Sequence, residues 1–316
     1  MTAELWARAA QVSHALHASV IARPQADCLL LIDTVPRVVS EDDVLWECYS
    51  RSGNERVQIN HPGIDPSHYP MLLPLHVAKF KDSHLLEQSV QRALEELPSQ
   101  VLQAGSGRQI SGWLTSSQPV RTVARHLASS MLHRVPHLGG LAWLRLQDPA
   151  VLWWLWSFLS PTQRTALLGP IETFWLLDPA GRLVELRAED VEAKDTQGRL
   201  TLSPEQWQDV DSIASLNIAI REWGRAQAVG ARFDTFCAAA LAAIRRARNA
   251  GFNDRHDLAA YARCALEIHP EFDSHPLVQR RLALRGEGAY FTSLIDDLEE
   301  HDWQRIGNES GVVLVD

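Results

Sequence analysis

The period of apolar and polar positions changes several times along this chain, and each change marks an element. Over residues 4–22, Leu5, Trp6, Ala9, Val12, Leu16 and Val20 recur near one stripe, the spacing of an amphipathic helix that Pro24 ends. Residues 27–34 (DCLLLIDT) form a nearly continuous apolar run, as expected of a central strand covered on both faces. Residues 35–68 are irregular, with Gly53, Pro62, Gly63 and Pro66. Residues 69–77 contain a second strand, which Pro70 and Pro74 restrict to a short or edge position. An amphipathic helix follows over 82–97, with Leu85, Leu86, Val90, Leu94 and Leu97 on one face. A strand over 109–116 and a helix over 119–134 come next, the helix with Val120, Val123, Leu127 and Met131 on its inner stripe.

Local turn chemistry makes residues 141–186 the most legible stretch. The run 141–146 suits a short buried strand. Asp148-Pro149 reads as an N-cap followed by the first helical residue: the carboxylate accepts from free N–H groups, and proline loses no needed donor there. Ser160-Pro161-Thr162-Gln163 is a capping box, and Gly169-Pro170 closes its helix. Residues 173–177 and 182–186 flank Asp178-Pro179-Ala180-Gly181, a hairpin turn. Alternating strands and helices predict an α/β N-terminal lobe, a small mixed sheet flanked by helices, over residues 1–190.

Composition changes after Leu186. Residues 188–198 are charged and turn-rich, which predicts a linker, bounded here as 191–202. Strand signals then almost vanish. Ser203-Pro204-Glu205-Gln206 opens a helix that extends toward Gln227, and four more are read over 233–249, 254–268, 276–284 and 288–306. Residues 203–316 are therefore expected to form an all-helical C-terminal lobe.

Charge narrows the possible partners. A formal net charge of −9 disfavours nucleic acid and anionic membranes. The N-terminus lacks the basic and apolar regions of a signal peptide, and the run 150–159 is half the length of a bilayer span, so a cytoplasmic location is expected. Cys28, Cys48, Cys237 and Cys264 have no CxxC spacing and read as reduced thiols.

Signals for catalysis or cofactors are sparse. The sequence contains no GxxxxGK[ST], GxSxG or HExxH pattern. His14 and His17 sit a helical turn apart, and His133 and His137 bracket Pro136; such pairs fall short of a metal ligand set. Neither a metal nor a cofactor is expected. Asp33, Asp148 and Asp178 each lie at a strand end, where α/β catalytic carboxylates often sit. Capping and turn roles account for Asp148 and Asp178, leaving Asp33 as the one unassigned carboxylate. Arg245, Arg246 and Arg248 complement a helix C-terminus, and the acidic run Asp296, Asp297, Glu299, Glu300 and Asp302 reads as a solvated helix face open to a basic partner. Trp153, Trp154, Trp156 and Trp175 are the candidate partner-binding residues, because tryptophan anchors protein interfaces and burying all of them in one monomer is hard. The apolar tail 311–316 (GVVLVD) suits strand pairing.

Four segments in order carry a family resemblance: Leu30 to Thr34 (LLIDT); Gly112 to Ser116 with His126-Leu127; Arg145 to Pro149 (RLQDP); and Gln163 to Trp175 with its LLGPI core. The region 27–186 thereby resembles the type VI secretion effector chaperones, the Tap or TEC adaptors with a DUF4123-type domain. The resemblance implies a non-catalytic cytoplasmic protein that binds a cognate effector toxin and helps load it onto a VgrG or PAAR spike. It also implies that the helical part is the family's variable second lobe, where Phe272, Pro276, Leu277 and Trp303 fall in a compatible pattern. Residues 35–68 depart most from the family. Two other readings compete: an α/β enzyme built around Asp33, and an immunity protein that neutralises a toxin.

Overall fold

The computed structural model describes residues 3–35, 51–97, 107–135, 139–188, 199–223, 233–286 and 288–310. The chain divides into two compact units, Met1–Leu202 and Ser203–Asp316. Most of the expected linker, the part over 191–198, lies outside the described residues, as do Cys48, His137 and the tail 311–316.

The N-terminal unit is the expected α/β lobe. Its elements run α1 (Ala3–Ile21), β1 (Asp27–Ile32), β2 (Glu55–Arg56), β3 (Met71–Leu75), α2 (Phe80–Glu95), β4 (Ile110–Ser116), α3 (Val120–Met131), β5 (Leu132–Val135), β6 (Gly140–Trp143), α4 (Pro149–Phe158), α5 (Pro161–Leu168), β7 (Thr173–Leu177) and β8 (Leu183–Leu186). Six strands form one sheet in the order β2-β3-β1-β4-β7-β8. Every neighbouring pair is antiparallel, so the sheet is not mixed in its pairing. Alternation of strands and helices does not by itself fix the pairing: β3 and β4 are joined through α2. Those two strands do run parallel, but β1 lies between them, antiparallel to both.

Helices cover both faces of the sheet. On one, Leu16 and Val20 of α1 and Leu86, Val90 and Leu94 of α2 pack on Cys28, Leu30, Ile32, Leu73, Trp113 and Trp175. On the other, Leu127, Leu152, Leu167 and Leu168 from α3, α4 and α5 meet Phe174 and Leu186. Two-sided coverage explains why β1 is apolar without alternation. Trp113 keeps its indole N–H satisfied by donating to Ser89 Oγ at 2.8 Å, and Ser89 donates to Leu86 O at 2.7 Å.

Three expectations need correction here. The helix read over 119–134 stops at Met131, and Leu132–Val135 pairs with Gly140–Trp143 as a separate two-stranded sheet. The run 141–146 is thus no buried strand of the main sheet; Leu141 is 41% exposed. Helix α2 begins at Phe80 rather than Asp82, because the Asp82 and Ser83 N–H groups already bond Lys79 O at 3.0 and 2.9 Å; the buried Asp82 carboxylate accepts from the His76 N–H at 2.7 Å and pairs with Arg51.

The C-terminal unit is all-helical among its described residues: α6 (Pro204–Trp223), α7 (Phe233–Asn249), α8 (Arg255–Glu267), α9 (Pro276–Ala283), α10 (Phe291–Ile295) and α11 (Glu300–Glu309). Phe252, Tyr261, Phe272 and Phe291 form its aromatic centre, with ring centroids between 4.6 and 6.3 Å apart. The helix read over 288–306 is broken between α10 and α11. Buried Asp257 draws in the start of α10 by accepting from Phe291 N–H at 2.8 Å and Thr292 N–H at 3.1 Å. A capping box between Glu299 and Asp302 then starts α11 afresh. The acidic run is therefore not one solvated helix face: Asp297 pairs with Arg281, and Glu300 and Asp302 occupy the first turn of α11, where the helix dipole favours anions.

Candidate interaction surface

The four motif segments meet one another in the folded N-terminal unit. Asp33, at the end of β1, accepts from Arg145 at 3.2 Å across 112 residues of sequence, and also from the Val35 N–H at 3.2 Å. Three residues after Arg145, Asp148 caps α4 by accepting from Ala150 N–H at 2.9 Å. His126 donates its Nε2–H to Leu167 O at 2.7 Å, and its ring lies so close to Gly169 that a Cβ there would sit 2.3 Å from it. Gly169 also has a φ of 53°, so both the backbone conformation and the packed ring call for glycine. Ser116 donates to Pro170 O at 2.6 Å. Gly112 faces β7 so closely that a Cβ would meet Trp175 O at 2.3 Å. Strand, helix and turn signatures that are distant in sequence thus describe one set of packing contacts.

Each strand-end carboxylate has a structural partner. Asp33 is buried and ion-paired, which replaces the view of it as an unassigned site residue. Asp178 accepts from the Arg182 backbone N–H at 2.8 Å and from its Nε at 2.6 Å, closing the hairpin turn. Arg108 is buried at the same sheet edge and donates to Leu177 O at 3.2 Å. Burial pulls its pKa down, and the carboxylates of Asp148, Glu96 and Asp178 oppose that shift. Glu96 accepts from the N–H groups of Gln109 and Ile110 at 2.8 and 3.2 Å, which anchors the start of β4. Charge in this cluster ties α2, β4 and the β7–β8 turn together.

Histidines and arginines follow the same pattern. His126 and His133 have lowered pKa values, mainly through burial, although the carbonyl oxygens they bond to pull the other way. Among the described residues, no group of three His, Cys, Asp or Glu side chains could hold a metal ion. Arg245 bonds Asp209 through two nitrogens at 2.9 and 2.6 Å, Arg246 bonds Asp273 at 2.7 and 2.9 Å, and Arg248 donates to Ser212 Oγ. Arg245 and Arg248 thereby tie α7 to α6, and Arg246 ties it to the turn at Asp273; Arg246 and Arg248 also stand in the last turn of α7, where the helix dipole favours cations.

The four candidate tryptophans divide into two pairs. Trp154 is 2% exposed and Trp175 1%, so neither presents a surface. Trp175 lies in the core beneath α1 and α2, with the Arg23 guanidinium 5.0 Å from its ring and its N–H donating to Glu185 at 3.3 Å. Helix α4 is apolar on all sides, so its inner residues Leu152, Trp154 and Leu155 are covered while Trp153 and Trp156 stay half-buried. Arg164 stacks 5.3 Å from the Trp156 ring. Trp153 and Trp156 are thus partly exposed on the outer side of α4.

A larger surface was missed in the sequence. Between α1 and α2 lies a groove of about 470 Å³ lined by Trp6, Ala9, His14, His17, His84 and Gln91 among others. Trp6, read as part of the inner stripe, is 55% exposed, and Phe80 beside the groove is 87% exposed and stacks on His84. The signal was present in the spacing: Trp6, Ala10, His14 and His17 form a second stripe on α1, displaced from the buried Ala9, Val12, Leu16 and Val20.

A family model described as a domain of unknown function, DUF4123, matches residues 67–166, just under a third of the chain. No curated protein and no solved structure matches. Among the described residues, no helix is long and apolar enough to cross a membrane.

Proposed function

We propose that the protein is a non-catalytic adaptor of a type VI secretion system, a cytoplasmic chaperone that binds an effector toxin and helps load it onto a VgrG or PAAR spike. The observation that carries this reading is positional. The DUF4123 match covers 67–166, which holds Gly112–Ser116, His126-Leu127, Arg145–Pro149 and the start of the Gln163 segment, although Leu30–Thr34, which also carries the resemblance to effector chaperones, lies before it. The geometry supports it. Asp33, Asp148 and Asp178, the carboxylates best placed for catalysis, hold the lobe together, while Trp6 and Phe80 are exposed and Trp153 and Trp156 are half-buried. Aromatic anchors on a rigid support suit protein recognition.

The test is co-expression of the tagged chain with the products of neighbouring genes, followed by size-exclusion chromatography and mass spectrometry. The expected result is a stable complex with a toxin-like neighbour, lost when the toxin's N-terminal region is removed. Recovery of neither a toxin nor a spike component would refute the adaptor reading. Binding to the toxin's catalytic domain, with neutralisation, would instead make the protein an immunity factor.

A further inference from the structure

The C-terminal unit has its own groove, of about 590 Å³, between α8 and α11. Glu300, Trp303, Gln304, Gly307 and Asn308 line it from α11, at the spacing of a single helix face. Arg263, Cys264, Glu267 and Ile268 line it from α8, and Ile295 closes one end. The half-buried Trp303 indole and the two isoleucines supply apolar surface, and carboxylates flank it.

Two independent features point to an occupant. The first is charge. Among the described residues Arg263 is the one cation lining the groove, shared between Glu222 at 3.3 Å and Glu267 at 3.6 Å, while Glu300 accepts from the Gln304 amide at 3.3 Å. Burial also raises the pKa of Glu267; Arg263 opposes this and Glu222 adds to it. The unit as a whole is acidic, with 18 Asp and Glu against 12 Arg and no Lys over 203–316. The second feature is Gly307. Its backbone is not in the left-handed region, and a Cβ would make only ordinary contacts, 3.5 Å to Ile268 O and 3.6 Å to Ile268 Cγ2. Glycine is the poorest helix former after proline, so Gly307 costs α11 stability where alanine would fit. Its absent side chain leaves the α11 backbone facing Ile268, and both residues line the groove wall.

We propose that the α8–α11 groove docks a basic segment of a partner protein, with an apolar side chain against Trp303 and Ile268 and Arg or Lys side chains reaching Glu267 and Glu300. Apolar contact with the indole and charge-assisted hydrogen bonds to the carboxylates are the recognising interactions. The inference rests on the adaptor reading only in taking the occupant to be part of a protein.

Fluorescence anisotropy on the purified full chain tests it, with a short labelled peptide of Arg, Leu and Ala as probe and a counterpart carrying Glu in place of Arg as control. The Arg peptide should bind and weaken with added salt, and the Glu peptide should not bind. Glu267→Gln with Glu300→Gln, and separately Trp303→Ala, should each lower affinity about tenfold. Glu4→Gln with Glu55→Gln, which removes the same charge outside the groove, should leave affinity unchanged. Gly307→Ala should raise the melting temperature by a few degrees and yet weaken binding several-fold, opposite signs that a purely structural glycine would not give. Absent or sequence-blind binding, equal damage from the control pair, or unchanged affinity in Gly307→Ala would each overturn the proposal. Because no effector is needed, peptide failure alongside a recovered toxin complex would refute the groove assignment alone.

Discussion

Replacing Gly112 with alanine should unfasten the middle of the main sheet. Gly112 lies on β4 beside a β-bulge: Leu31 pairs with Gly112 and Ile32 with Ile110, which leaves Ser111 unopposed. An added Cβ would lie 2.3 Å from Trp175 O and 2.6 Å from Phe174 Cε1, whereas real Cβ contacts essentially never fall below 3.0 Å. Strand β7 would have to retreat by at least 0.7 Å, the gap between 2.3 and 3.0 Å, and the nearer obstacle is backbone that no rotamer change can move. That retreat strains the β4–β7 ladder at Trp113–Trp175 and Leu114–Phe174, in a region whose every residue is buried. Overpacking costs about 1–3 kcal/mol and each weakened ladder bond about 1 kcal/mol, so the total comes to about 3–5 kcal/mol. Against a typical domain stability of about 5–15 kcal/mol, that is a large share. Urea titration followed by near-ultraviolet circular dichroism, which sees the Trp113 and Trp175 packing, measures it. A loss below about 1 kcal/mol with wild-type near-ultraviolet signal would refute the reasoning, because it would mean that β7 yields without strain.

Three further outcomes follow from the same contacts. Arg108→Met should destabilise the N-terminal unit by about 3–5 kcal/mol, because it leaves Glu96, Asp148 and Asp178 facing a neutral side chain in a buried site; chemical denaturation reads this. His126 has a folded-state pKa below its ordinary 6.5, so the unfolded chain takes up the proton first. Its stabilising effect is present above about pH 6.5 and is lost as pH falls through the lower folded value; a denaturation series across that window should show the decline, and His126→Gln should flatten it. Glu267 has the opposite sign: its raised pKa favours the folded state at acid pH, and that contribution is lost as pH rises through the folded value. Glu267→Gln should therefore raise the melting temperature at neutral pH, with the gain shrinking under acid conditions.

Much of the architecture was legible because its signals are local. Asp148, Ser160 and Ser203 cap the helices that their spacing announced, and the Asp178–Gly181 turn closes its hairpin with a Gly181 φ of 75°. Loss of strand patterning after Leu186 likewise marked the change from α/β to all-helical structure. These features depend on groups within a few residues of one another, so the chain alone carries them.

Other features depended on distant partners. Leu132–Val135 continues a helical pattern but leaves the helix, because Gly140–Trp143 offers a pairing that no local propensity foretells. Trp6 and Trp154 read in sequence as a core residue and a surface candidate; the fold reverses them, since α1 buries the stripe of Leu16 and Val20 while α4 is covered beyond its outer tryptophans. Asp33 looked unassigned until Arg145 arrived from 112 residues away. The sequence by itself determined the elements, their caps and the two-part composition, through short-range sterics and hydrogen bonding. Tertiary structure alone decided which charges are neutralised and which aromatics reach solvent, because desolvation and ion pairing depend on what packs alongside a residue and not on its neighbours in the chain.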